Sequence, residues 1–199
     1  FPDTRVLSYF EWFYHAHGSD ADYLPESEIS SDDECRIRTR NAAILLDLAN
    51  CDWGLCPTLF QRDTYPEAFR SKIYVEHDGI RTDRLLPNAA ATVPLGRLGR
   101  AVTREDEVFT YMARNMEPTR GFHKFMRALP LILEARPKAR ALIIGGNDVS
   151  YGKASGVQGG YRAEMEREVG DRLDWSRVHF LGKVPYAAYR EIIQVSRCH

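Results

Sequence analysis

Two arginines, Arg114 and Arg120, are the residues of this sequence best suited to chemistry. They follow an apolar, β-prone run that begins at Val108. An arginine presents a fixed fork of donors that binds phosphate oxygens in pairs, and its charge does not titrate near neutral pH. Arg120 comes just before a predicted helix, where free backbone N–H groups and the macrodipole favour an anion. The pair therefore predicts a diphosphate site, although on spacing alone two surface arginines paired with Glu117 are an equal alternative.

The elements around these arginines form a predicted strand–helix–strand unit. After the first strand comes a turn built on Glu117-Pro118 and closed by Gly121. The apolar residues that follow have the spacing of one helix face: Phe122, Phe125, Met126, Leu129, Ile132 and Leu133. A second apolar run, 141–144, completes a unit long enough for a parallel crossover. Ligands of open α/β sheets bind beyond the carboxyl ends of the strands, and this edge carries both arginines.

Four further residues are candidates for binding. Gly145, Gly146 and Asp148 follow the second strand, where glycines let the backbone approach a nucleotide, but a simple tight turn is equally compatible. Glu11 lies near the end of a strand predicted over 5–13 and is a candidate for the acceptor side. A local hydrogen bond at a strand end is the favoured alternative for this acid.

The order of predicted strands and helices alternates along the chain, which is typical of parallel sheets covered on both faces. We expect an α/β fold of two Rossmann-like, doubly wound halves. The first spans 1–80 and the second 106–199. Residues 81–105 lose periodicity and are interpreted as a linker, since they contain two prolines and two glycines within a short stretch: Pro87, Pro94, Gly96 and Gly99.

The composition excludes several classes of protein. The 199 residues suit one or two domains, and 27 basic against 28 acidic residues argue against a nucleic-acid binder held by bulk charge. No apolar run is long enough to span a bilayer. The four cysteines lack metal-ligand spacing, which favours reduced thiols in a cytoplasmic protein. Acids between 20 and 34 suggest either a metal site or, preferably, a solvated loop that feeds negative charge to a helix predicted over 33–48.

The block from Ala113 to Gly121 resembles the first βα turn of the C-terminal domain in family 4 (group 1) glycosyltransferases of the GT-B fold. That family shows Gly-Arg, a short gap with Glu-Pro or Pro-Glu, and then Lys-Gly. The order of other segments is similar, since 56–58, 72–80, 141–146 and 178–182 match successive strand ends of the family. Here Arg120 stands where lysine is usual and Ala113 where glycine is usual.

The resemblance implies transfer of a sugar from a nucleotide-diphosphate donor to a glycan or lipid-linked acceptor, with retention and without an essential metal or other cofactor. The donor would be a UDP- or GDP-sugar bound by 106–199, and 1–80 would face the acceptor. Arg114 and Arg120 would neutralise the leaving diphosphate, since preorganised donors lower such barriers. A lipid acceptor would imply possible peripheral contact with the inner face of the membrane, although no basic amphipathic helix supports it.

Two alternatives to an active glycosyltransferase remain at this stage. The family's Glu-x7-Glu segment is expected beyond His199 and its glycine-rich loop before Phe1, so the chain is interpreted as a central fragment. A non-catalytic module that binds a nucleotide or a partner is therefore the first alternative. A dinucleotide enzyme is the second, and the absence of a GxGxxG fingerprint argues against it.

Overall fold

The computed structural model describes residues 3–19, 21–22 and 28–199. The chain forms two compact units, Phe1–Ile80 and Arg81–His199. Both are of the mixed α/β type and contain parallel sheets, as the alternation of predicted elements indicates.

Within its described residues, the first unit contains a three-stranded parallel sheet and three helices. The strands pair in the order β1-β2-β3. In chain order the elements are β1 (Leu7–Tyr9), α1 (Ser31–Asn50), β2 (Trp53–Cys56), α2 (Leu59–Asp63), α3 (Glu67–Arg70) and β3 (Ile73–Val75). Strand β1 is shorter than the strand predicted over 5–13.

Helix α1 begins with a capping box. The Ser30 hydroxyl accepts a hydrogen bond from the Asp33 N–H, and the Asp33 carboxylate accepts one from the Ser30 N–H. Asp32 and Glu34 add negative charge to the same turn, where the macrodipole favours it. This agrees with the preferred interpretation of the acids nearest the helix, whereas Asp20 and Glu26 lie outside the described residues.

The sheet of the first unit is packed on one face. Phe10, Cys56, Tyr65 and Ile73 form its core with Leu48 of α1. The opposite face carries large side chains that are 47–63% exposed, namely Leu7, Tyr9, Trp53 and Tyr74. The expectation of cover on both faces is therefore not met for this sheet within the described residues.

The second unit is built around another parallel sheet, with strand order β6-β7-β8, preceded by an antiparallel hairpin. Its elements are β4 (Thr92–Leu95), β5 (Arg100–Thr103), β6 (Val108–Asn115), α4 (Phe122–Ala135), β7 (Arg140–Gly146), α5 (Gly160–Val169), β8 (Val178–Gly182) and α6 (Tyr186–Val195).

After α6 the chain returns to the free side of β6. The Arg197 N–H donates to the Val108 carbonyl at 2.7 Å, and the Thr110 N–H donates to the Cys198 carbonyl at 2.9 Å. Phe109 and Cys198 form a parallel bridge. Strands β7 and β8 thus lie on one side of β6 and the returning segment on the other. A reversal of strand order of this kind is the topological switch point at which open α/β sheets bind ligands.

Both faces of this second sheet are covered, as expected for a doubly wound half. On one face Tyr111 and Ile143 pack against Phe122 and Met126 of α4 and Met165 of α5. On the other face, buried residues of the sheet pack against the hairpin and α6: Val108, Leu142 and Ile144 of the sheet, Val93, Leu95 and Val102 of the hairpin, and Ile192 and Val195 of α6.

The hairpin lies within 81–105, the stretch that the loss of periodicity led us to interpret as a linker. Val102 is fully buried, and Val93 and Leu95 are nearly so. Alternate residues of β4 point into the core, whereas Pro94 occupies an exposed position on a two-stranded hairpin, where proline is tolerated. Gly96 and Gly99 lie in the turn of this hairpin, with Gly99 in the left-handed conformation, whereas Pro94 lies within β4 and Pro87 precedes it.

Candidate functional site

Arg114 lies at the carboxyl end of the strand beside the switch point. It precedes Asn115, the last residue of β6. Its side chain is exposed and forms no hydrogen bond or ion pair with another described residue. The surface ion pair with Glu117, considered as the alternative from sequence, is therefore not formed by this arginine. Its charge is available to an anion at this edge.

Arg120 ends a 3₁₀ turn, Pro118–Arg120, that leads into α4. Its carbonyl accepts a hydrogen bond from the Tyr111 hydroxyl at 3.0 Å. Its guanidinium lies 5.1 Å from the centre of the Tyr151 ring, within range for a cation–π contact. Its Nε is 3.8 Å from Oε1 of Glu117, so for this residue the alternative pairing is present. The side chain nevertheless remains 43% exposed.

Glu117 is fully buried, whereas the sequence pattern suggested only a turn residue or a surface partner of the arginines. Its Oε2 accepts hydrogen bonds from the backbone N–H groups of Ser150 at 2.5 Å and Tyr151 at 3.2 Å. The Asn115 amide also donates to the Ser150 hydroxyl at 2.7 Å. These bonds join the turn after β6 to the loop after β7. A glutamate before a proline in a turn gives no sequence signal of burial, which is why this role was missed.

Gly145 and Gly146 lie at the end of β7, and neither could carry a side chain without displacement of its neighbours. Gly145 has φ +155°, and a Cβ there would stand 2.8 Å from the Ala113 carbonyl oxygen. A Cβ on Gly146 would stand 2.3 Å from Cε of Lys183 and 2.5 Å from Oδ1 of Asn115. The glycines thus allow close approach of β6 and of Lys183. Their contact with a nucleotide remains a prediction.

Asp148 forms an ion pair with Lys183, with Oδ2 and Nζ 3.1 Å apart. Lys183 directly follows β8, so the pair connects the carboxyl ends of neighbouring strands. The sequence pattern pointed to Asp148 but not to Lys183, since nothing in the order of residues indicates that these two loops meet. The carboxyl edge of the second sheet therefore carries the cations Arg114, Arg120 and Lys183 beside the buried Glu117 and the exposed Asp148.

Glu11 belongs to the first unit and follows β1. Its side chain is exposed, and its backbone carbonyl accepts a hydrogen bond from the Gln61 amide at 3.0 Å. Nearby, the Tyr9 hydroxyl donates to Oδ1 of Asp78 at 2.7 Å, and this bond raises the pKa of Tyr9 to about 12. The carboxyl ends of β1 and β3 are thus linked by polar side chains. A role of Glu11 toward an acceptor remains a prediction.

The described part of the chain contains neither a cluster of metal ligands nor a helix that could span a membrane. No three histidine, cysteine or acidic side chains among its residues lie close enough to share a metal ion. None of its helices combines the length and the apolar character needed to cross a bilayer.

The geometry can be set beside known proteins. Residues 1–85 match the family model described as glycosyl transferase family 4 group. The match covers the first unit and ends before Arg114 and Arg120.

A solved structure extends the fold comparison over both units. Sucrose-phosphate synthase from Thermosynechococcus elongatus superposes with a TM-score of 0.61 and 18% identity, over 97% of this chain and 49% of that chain. The chain therefore has the GT-B type of α/β fold and spans about half the length of this protein. No curated protein sequence matches the chain significantly.

Proposed function

We propose that the protein to which this chain belongs transfers a sugar from a nucleotide-diphosphate donor to an acceptor. The observation that carries the proposal is the position of Arg114 and Arg120 at the carboxyl edge of the second sheet, beside its topological switch point. The match of 1–85 to glycosyl transferase family 4 supports the same class of reaction independently, since it rests on the other unit.

The two arginines would act on the leaving group. As the bond between the sugar and the diphosphate breaks, negative charge accumulates on the departing phosphate oxygens. Guanidinium groups held near those oxygens stabilise this charge more in the transition state than in the ground state, which lowers the barrier. Glu117 orients Arg120 from beneath, because its Oε1 lies 3.8 Å from the arginine Nε while its Oε2 is bound to the following loop.

The finer points of the proposal follow the resemblance to the family. The donor would be a UDP- or GDP-sugar, and neither a metal nor another cofactor would be required, since the arginines supply the positive charge. Gly145 and Gly146 would let the backbone approach the nucleotide. The acceptor would be a glycan or a lipid-linked sugar, with Glu11 on the acceptor side. The reaction would take place in the cytoplasm, and a lipid-linked acceptor would bring it to the inner face of the membrane.

A non-catalytic nucleotide-binding module is the second candidate. The observation that favours it is that the chain spans 49% of the sucrose-phosphate synthase chain that it matches. The two candidates share donor binding and differ in turnover.

One experiment separates the two candidates. The chain is incubated with UDP- and GDP-sugars, with EDTA or with Mg²⁺, and release of the nucleoside diphosphate is measured beside thermal shifts with UDP, GDP, ADP and NAD. A nucleotide at ~10 mM with a Kd near 1 mM stabilises a protein by about 1.4 kcal/mol. For a chain of this size that is a shift of roughly 3–6 °C.

Release of the nucleoside diphosphate in EDTA, with a glycan acceptor or water taking the sugar, supports glycosyl transfer without a metal, whereas binding without release in the presence of acceptor supports the module. Arg114→Ala and Arg120→Ala should each remove the shift, and Arg104→Ala serves as the matched control because Arg104 is exposed ahead of β6, away from its carboxyl end. Absence of both binding and release would refute the proposal for this chain.

A further inference from the structure

Lys183 lies across the end of the central β7 strand. It follows Gly182, which adopts the left-handed conformation with φ +69° and turns the chain at the end of β8. The space above Gly146 that a side chain would fill is taken by the lysine, since a Cβ there would be 2.3 Å from its Cε and 2.9 Å from its Nζ. The absence of a side chain at Gly146 thus lets a cation from β8 reach toward β6.

The single described partner of the Lys183 ammonium is Asp148, at 3.1 Å. The two side chains are 62% and 77% exposed, and ion pairs so open to water contribute little to stability. A ligand with a higher charge density than one carboxylate can therefore compete for the lysine. A diphosphate has that property, because charge-assisted hydrogen bonds to phosphate oxygens are among the stronger ones.

We propose that Lys183 is a third cation of the diphosphate site, and that Asp148 is its resident counter-ion, displaced when the diphosphate binds. The inference rests on the proposed function, since it assigns further residues to the same donor site. The strand order supports it, because β7 lies between β6 and β8 and its Gly146 is the point at which Asn115 of β6 and Lys183 meet. Asp148 then opposes donor binding rather than contacting the nucleotide.

In this arrangement the two members of one ion pair have opposite effects on the affinity for a nucleoside diphosphate. Lys183→Ala should weaken the binding of UDP or GDP about ten-fold, because a charge-assisted contact is lost. Asp148→Asn should strengthen it by about two- to five-fold, because the lysine no longer exchanges one partner for another. Gly146→Ala should weaken binding as well, since the new methyl group displaces the end of the flexible lysine side chain.

The test is a calorimetric titration of each variant with UDP, GDP and the corresponding nucleosides at two salt concentrations. Lys138→Ala is the matched control, because Lys138 is exposed just before β7, at the opposite edge of the sheet. The side chains of Lys138, Asp148 and Lys183 are exposed, so their removal should not disturb the core. Circular dichroism verifies that each variant is folded. Losses in Lys183→Ala that occur for the diphosphates and not for the nucleosides support the proposal.

Four outcomes would overturn it. Equal weakening in Lys183→Ala and Asp148→Asn would mean that the pair only shapes the loop. Equal losses of affinity for the nucleoside and for the nucleoside diphosphate would mean that Lys183 contacts the nucleobase or the ribose and not the diphosphate. If Arg114→Ala abolishes binding while Lys183→Ala behaves like Lys138→Ala, this inference fails alone, whereas failure of the unsubstituted chain to bind either diphosphate removes the donor site of the proposed function as well.

Discussion

Glu117 offers the sharpest perturbation of the candidate site. Its carboxylate is fully buried and accepts two backbone hydrogen bonds from the loop after β7, at Ser150 and Tyr151. Glu117→Ala would leave both N–H groups without this acceptor. A hydrogen bond to a charged group contributes about 1.5–3 kcal/mol, and these donors are only partly buried, so water would offset part of the loss. We expect a destabilisation of about 2–4 kcal/mol, which corresponds to roughly 5–15 °C in Tm for a chain of this size.

The loss should be local as well as global. Hydrogen exchange at the Ser150 and Tyr151 amides should accelerate far more than exchange in the middle of β6, because the loop loses its anchor while the sheet does not. Glu117→Gln should cost about half as much, since the amide oxygen still accepts one bond. Both variants should also bind a nucleoside diphosphate more weakly, because the orientation of Arg120 depends on the same carboxylate.

The matched control is Glu107→Ala. Glu107 precedes β6 at the opposite end of the strand and pairs with the exposed side chain of Arg136. Exposed ion pairs contribute at most about 1 kcal/mol. The reasoning would be refuted if Glu117→Ala and Glu107→Ala unfolded at the same temperature and left exchange at Ser150 and Tyr151 unchanged.

Three further predictions concern the second unit. Gly145→Ala should destabilise it by about 2–4 kcal/mol in urea unfolding, because φ is +155° and the new Cβ would lie 2.8 Å from the Ala113 carbonyl oxygen; a change below 0.5 kcal/mol would contradict this. Val102→Ala should cost about 2 kcal/mol, since this valine is fully buried, whereas a residue in a linker would tolerate the change. Hydrogen bonds lower the pKa of Asp174 from 3.8 to about 2, and the bond from the Ser176 hydroxyl has the largest effect. The contribution of Asp174 to stability is therefore present above pH 4 and is lost as the pH falls toward 2. Asp174→Asn should flatten the pH dependence of the urea midpoint in that window.

Much of the fold could be predicted from the sequence because its elements follow strong local patterns. The helix after Gly121 shows its apolar spacing directly, and the run 141–144 has no competing interpretation as a polar loop. The hairpin of 92–103 could not be predicted in this way. Its strands have four residues each, and β4 contains a proline. The burial of these strands depends on contacts with α6 that local spacing does not encode.

The residues of the candidate site likewise differ in whether local sequence predicts them. Arg114 and Arg120 were found because both belong to one short block of sequence. Lys183 and Glu117 were missed because their partners, Asp148 and the loop at Ser150, are more than 30 residues away along the chain. Burial of a carboxylate under a turn depends on how that loop returns to the sheet, which only the three-dimensional structure shows.

The most direct test of the central claim is a calorimetric titration of inorganic pyrophosphate, UDP and GDP into the unsubstituted chain and into Arg114→Ala. Arg114 is exposed and has no described partner, so its removal should leave folding unchanged. We predict measurable binding of one nucleoside diphosphate that weakens at least ten-fold in the variant and diminishes with added salt. Binding that is equal in the two proteins would contradict an anion site at this edge of the sheet.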